Sequence, residues 1–121
     1  MGQGHSLAGP TADWDAALTP HTQCTTALQA SPHASYLVRR TPKGGSSELY
    51  LNDKGHVLQY DLEHPDGAEG KVSCIGVAYD GIDALLSHCA ANGIQAQSGV
   101  VKLGQPVGKQ AFTQYVDILA F

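Results

Sequence analysis

At 121 residues and 12.7 kDa the chain has the size of a single domain. With 42% apolar and 15% charged residues it can bury a core, and it has no apolar run long enough to span a membrane. Eleven acidic against seven basic residues, a net charge of −4 and a pI near 5.8 argue against a general nucleic-acid binder, whose affinity rests on neutralising phosphates.

Met1 to Pro10 lacks a basic start followed by an apolar stretch, so no secretory signal is read there. Residues 1–12 read as a flexible segment, and Trp14 opens the folded part. Thr19-Pro20-His21-Thr22 predicts a helix start, with a hydroxyl cap and then proline at the first helical position. That helix runs through Cys24, Ala27 and Leu28 and stops near Ser31-Pro32. Alternation from Ala34 to Thr41 predicts a strand, the Pro42–Ser47 stretch a loop, and Glu48–Leu51 a second strand. Asn52-Asp53-Lys54-Gly55 then turns into a third strand, His56–Leu62, making an antiparallel hairpin.

After His64-Pro65-Asp66-Gly67 breaks the chain, Lys71–Val77 reads as a short strand pair or edge strand. Ile82, Leu85, Leu86 and Cys89 fall at i, i+3, i+4 and i+7, the clearest helical stripe in the chain. Asp80 is the expected cap of that helix, and Asn92-Gly93 its left-handed stop. The order predicts an α+β fold, a central antiparallel β-sheet flanked by two α-helices. Cys24, Cys74 and Cys89 are odd in number and form no C-x-x-C, so they read as reduced core residues in a reducing compartment.

The chemistry concentrates at Arg39, Arg40 and Lys43, a small positive site on an acidic chain that suits one anionic group better than a polyanion. Arg39 falls in a strand expected to be central, and a buried arginine needs a partner. Its planar fork fits a phosphate or a carboxylate, and Thr41, Lys43 and a Gly-Gly-Ser-Ser loop follow it. The competing reading is an internal salt bridge to one of the eleven carboxylates.

Ser35-Tyr36-Leu37-Val38-Arg39-Arg40-Thr41 resembles the Phe-Leu-Val-Arg-Glu-Ser strand of Src homology 2 (SH2) domains. Trp14, the Leu18-Thr19 entry to the first helix, Val57-Leu58-Gln59-Tyr60-Asp61-Leu62, the Ile82–Ile94 helix and Leu103-x-x-Pro106-Val107 are similar to further landmarks of that family, in the same order. The resemblance covers about 14–107, so the domain is placed at 13–107, with 108–121 as a carboxyl-terminal extension. It implies an SH2-like module that binds tyrosine-phosphorylated proteins or peptides, with no cofactor, no nucleic acid and no stable membrane insertion. An adaptor, a competitor or an effector of host signalling, placed in the cytoplasm or a host cell's cytosol, fits it.

By the resemblance, Arg39 grips two phosphate oxygens and Thr41 donates a hydrogen bond. Ser46 or Ser47 closes the loop over the phosphate, and Lys43 adds charge. Gln59 flanks the phosphotyrosine ring. Tyr60, Gln95 and Val100 shape the surface for the residues that follow it, where Asp66 and Glu69 add negative charge. The sequence departs from the family in three ways. No arginine stands at the first helix, where His21 can substitute in a pH-dependent way. Asp61 replaces a common pocket lysine, while Arg40, in the place of a usual glutamate, restores positive charge.

The alternatives are a degenerate SH2-like interaction domain without phosphate dependence and a small metalloenzyme of the vicinal-oxygen-chelate type. The metalloenzyme would draw on His56, Glu63, His64 and His88, which show no ligand spacing. No G-x-S-x-G, P-loop or H-E-x-x-H occurs, and this inventory fits a binding module rather than an enzyme. Met1-Gly2-Gln3-Gly4-His5-Ser6 matches a myristoylation pattern. In the extension, Phe112, Tyr115, Val116 and Leu119 form a helical apolar face that can dock on the domain, and Tyr115 is also a candidate phosphorylation site.

Overall fold

A computed structural model of the chain describes residues 14–41, 46–64 and 70–108. The expectations for Gly2, Lys43, Asp66, Glu69 and the extension with Tyr115 lie outside the described residues. In chain order the elements are α1 (His21–Gln29), β1 (Tyr36–Arg40), β2 (Ser46–Asp53), β3 (His56–Glu63), β4 (Val72–Cys74), β5 (Val77–Tyr79), α2 (Ile82–Asn92), β6 (Ile94–Ala96) and β7 (Gly99–Val101). Strands β1 to β5 form one antiparallel sheet in sequential order, and β6 and β7 form a separate hairpin. This is the α+β arrangement expected from the sequence.

Strand β2 is buried along nearly all its length because it is covered on both faces. Leu37 and Tyr50 face α1, where they pack with Cys24 and Leu28. Val38, Leu49, Leu51 and Leu62 face the other way and pack with Leu85, Leu86 and Cys89 of α2. Successive side chains of a strand alternate faces, so each strand feeds both clusters. Full burial of such a side chain contributes about 1.5–3 kcal/mol.

The outer edge of β1 is covered by both ends of the domain. Val38 N–H donates to Trp14 O at 2.8 Å, and Arg40 N–H donates to Ala17 O at 2.7 Å. Farther along, Val107 N–H donates to Tyr36 O at 2.7 Å. These bonds occupy backbone groups that an edge strand otherwise leaves open to pairing.

Turn chemistry fixes the register. Lys54 and Gly55 both have positive φ (54° and 95°), as a two-residue turn of type I′ requires, and Gly55 N–H donates to Asn52 Oδ1 at 2.8 Å. The register then puts Arg39, Glu48 and Asp61 opposite one another across β1, β2 and β3. Directly opposed residues share a face, and that face is the one carrying α1.

Several expectations need correction. Thr19 does not cap α1: the cap position is Pro20, whose side chain has no acceptor to offer the helix N–H groups. Asp80 does not cap α2 either. Gly81 holds that position at φ 124°, and Asp80 pairs instead with Lys71. Strand β2 is longer at both ends than the expected Glu48–Leu51. Gln95 and Val100, expected at the specificity surface, lie opposite each other in the β6–β7 hairpin. Gly93 does end α2 with φ 90°.

Candidate functional site

Arg39 lies on β1 beneath the entrance to α1, with a side chain 13% exposed. Its Nε–H donates to Thr19 O at 2.7 Å, which fixes the plane of the guanidinium. Its Nη1 then meets Glu48 Oε1 at 2.8 Å. The internal salt bridge weighed from the sequence is therefore present, and Glu48 is its carboxylate.

Glu48 is held from further sides. Tyr50 Oη–H donates to Oε1 at 2.9 Å and Gln59 Nε2–H donates to Oε2 at 2.7 Å. His21 Nδ1 stands 2.7 Å from Tyr50 Oη. Since the phenol proton is directed at Glu48, the network assigns a proton on Nδ1 that His21 donates to Tyr50. Burial, reinforced by the hydrogen bond to Glu48, pushes the Tyr50 hydroxyl well above the usual phenol range, so it stays a donor. Three residues expected at the phosphotyrosine site, Arg39 and His21 for the phosphate and Gln59 for the ring, thus converge on one carboxylate, His21 through Tyr50.

This network borders a cavity of about 430 Å³ lined by Arg39, Thr41, Ser46, Ser47, Glu48, Asp61, Leu62 and Glu63. Thr41 Oγ1 and Ser46 Oγ lie 2.6 Å apart on its wall. Ser47 Oγ is 3.4 Å from His64 Nε2, which brings an imidazole to the rim. One guanidinium therefore faces the carboxylates of Glu48, Asp61 and Glu63 among the described residues. Asp61 lines the cavity, the unfavourable orientation for an anion that its replacement of lysine raised.

Arg40 does not restore charge here. Strand alternation turns it away from the Arg39 face, and it pairs with the buried Asp15 carboxylate at 3.1 Å. Glu48, Tyr50 and His64 belong to the site's surroundings without having been singled out for it. Glu48 could have been found by asking which carboxylate a short β1–β2 hairpin sets opposite Arg39.

A second concavity of about 340 Å³ is lined by Tyr60, Asp61, Glu63, Ser73, Ile75 and Gly76, so Asp61 and Glu63 form the ridge between the two. Tyr60 Oη–H donates to Gln95 O at 2.7 Å, tying β3 to the β6–β7 hairpin. The structure thereby brings together two of the expected specificity residues. Val100, the other, is 64% exposed.

The remaining candidates form no metal-holding group among the described residues. No three His, Cys, Asp or Glu side chains converge on a common point there. His88 is exposed and packs its ring against Tyr79. Cys24, Cys74 and Cys89 are free and buried, and burial pushes the Cys24 and Cys74 thiols up to about 11, which leaves them protonated and poorly nucleophilic. No helix of the described residues is long and apolar enough to cross a membrane.

No protein-family model and no curated protein sequence matches the chain. Solved structures do. The SH2 domain of a CRK/CRKL homolog from Monosiga brevicollis superposes with a TM-score of 0.73 at 22% identity, covering 88% of this chain and 97% of that one. The VAV1 SH2 domain, solved with a tyrosine-phosphorylated peptide from SLP76, gives a TM-score of 0.70 at 17% identity, covering 81% of this chain and 72% of that one.

Proposed function

We propose that this chain, whose fold is that of SH2 domains, is a phosphotyrosine-peptide-binding module with Arg39 as its principal phosphate ligand. The observation that carries this reading is that the site already holds an oxyanion. A guanidinium fixed from behind by the Thr19 carbonyl presents its Nη1 to a carboxylate at the wall of an open cavity. A phosphate ester offers the same guanidinium more charge and three acceptor oxygens. The hydroxyls of Thr41, Ser46 and Ser47 line the same cavity and supply further donors. Gln59, at the edge of the site, suits the flank of the phosphotyrosine ring.

In this reading the residues after phosphotyrosine cross the Asp61–Glu63 ridge toward Tyr60 and the β6–β7 hairpin. Two exposed carboxylates there disfavour acidic peptides. The module acts by docking on tyrosine-phosphorylated proteins, as an adaptor or as a competitor of other readers.

A phosphate-independent interaction domain is the second reading. It is favoured by the neutralisation of Arg39 by Glu48 and by the two further carboxylates on the cavity wall. An array of tyrosine peptides, each in phosphorylated and unphosphorylated form, separates the two. Binding confined to phosphorylated members, and competed by free phosphotyrosine, supports the first. Equal binding to both forms supports the second.

A further inference from the structure

Building on the phosphotyrosine reading, we propose that Glu48 is an internal competitor for the anion site, holding Arg39 until a phosphate displaces it and so setting how strong a ligand must be to bind. The pairing is built into the sheet: Glu48 lies directly opposite Arg39 in the β1–β2 register, not at the end of a mobile loop. Its two oxygens are claimed by Arg39, Tyr50 and Gln59, so the carboxylate sits in a prepared cradle.

Displacement, rather than sharing, follows from the charges. Asp61 lies directly opposite Glu48 on its other side, and Glu63 lines the same cavity. A phosphate placed on Arg39 beside an unmoved Glu48 would leave two anions on one guanidinium, with Asp61 as a third anion next to them. Like charges directly opposite are already unfavourable on a sheet face. Glu48 borders the open cavity with 16% of its side chain exposed, so it has a route to water. A phosphotyrosine dianion, with more charge than a carboxylate, is the ligand suited to drive that exchange. Weaker or singly charged anions do not repay it.

The apparent affinity of a site is reduced by the fraction of molecules in which it is free. If Arg39 is free of Glu48 in about a tenth of molecules or fewer, releasing it raises affinity about tenfold or more. The test is titration of a phosphotyrosine peptide, beside its unphosphorylated twin, into wild type, Glu48→Gln and Tyr50→Phe. Glu48→Gln removes the competing charge and keeps the shape. Tyr50→Phe removes one donor from the cradle and gives a second route should Glu48→Gln fail to fold. The expected result is a gain of about tenfold or more for Glu48→Gln and a smaller gain for Tyr50→Phe, both requiring the phosphate. The melting temperature of Glu48→Gln should also rise more on adding the phosphopeptide than that of wild type. Wild-type binding that is phosphate-dependent but unchanged or weaker in the folded variants would overturn the competitor role and leave the phosphotyrosine reading standing. Absence of phosphate-dependent binding in all three folded proteins would overturn both.

Discussion

The Thr19 carbonyl accepts a 2.7 Å hydrogen bond from Arg39 Nε–H, and this contact aims the guanidinium at the site. It ties the entrance of α1 to the middle of β1, leaving the Nη edge to face β2 and the cavity. The carbonyl is available for this role because the first helical bonds, from Gln23 N–H and Cys24 N–H, go to Pro20 O instead. The orientation of the Arg39 guanidinium therefore depends on backbone that belongs to another element.

Tyr60 and Gln95 should govern peptide preference separately from phosphate recognition. Tyr60→Phe removes the 2.7 Å bond that ties β3 to the β6–β7 hairpin. The expected outcome on a phosphopeptide array is a changed ranking of residues after phosphotyrosine, with dependence on the phosphate intact. The lost bond costs about 0.5–1.5 kcal/mol of stability. An unchanged ranking would place the specificity surface elsewhere.

The same hairpin is clasped to the sheet by Asp53. Ser98 donates to it twice, from N–H at 2.8 Å and from Oγ–H at 2.5 Å, and these bonds hold the Asp53 carboxyl below its usual value of 3.8. With its folded pKa lowered, Asp53 contributes stability that is full above about pH 4 and is lost as pH falls through the folded value. Melting temperatures measured from neutral pH down to about pH 3 should show a loss in wild type that is shallower in Asp53→Asn. Identical slopes would show that the clasp carries no ionic stabilisation.

Gly93 ends α2 with φ 90° and ψ 169°, a conformation essentially confined to glycine. A Cβ there would lie 2.3 Å from Val100 Cγ1 and 3.3 Å from Val101 O. The Val100 side chain is exposed and can give way, but the backbone oxygen and the dihedral angle cannot easily do so. Gly93→Ala should cost about 1–3 kcal/mol in denaturant unfolding. A cost below about 0.5 kcal/mol, the ordinary effect of a surface change, would contradict the close approach.

Arg39 and the helix α2 were legible in the sequence because their signals are local. The strand around Arg39 carries its own pattern, and Ile82, Leu85, Leu86 and Cys89 repeat at the helical spacing, with the last three buried as the stripe requires. Glu48 was not legible as the partner of Arg39 because that fact lies in strand register. A slip of one residue in the pairing would send its side chain to the opposite face. Arg40 was expected beside Arg39 although neighbours in a strand turn to opposite faces, and it pairs with Asp15 instead. The β6–β7 hairpin, with three residues in each strand, is too short for alternation to show. Asp80 has the chemistry of a cap, but Lys71, on the near side of the β4–β5 pair, claims it.

The central claim, that Arg39 is the phosphate ligand, is tested most directly by titrating one phosphotyrosine peptide into wild type and Arg39→Leu, with circular dichroism to establish that both are folded. Truncating one partner of a buried charge pair costs about 2–5 kcal/mol. The expected result is loss of measurable binding in a variant that keeps its secondary structure, whereas wild-type affinity in folded Arg39→Leu would contradict the assignment.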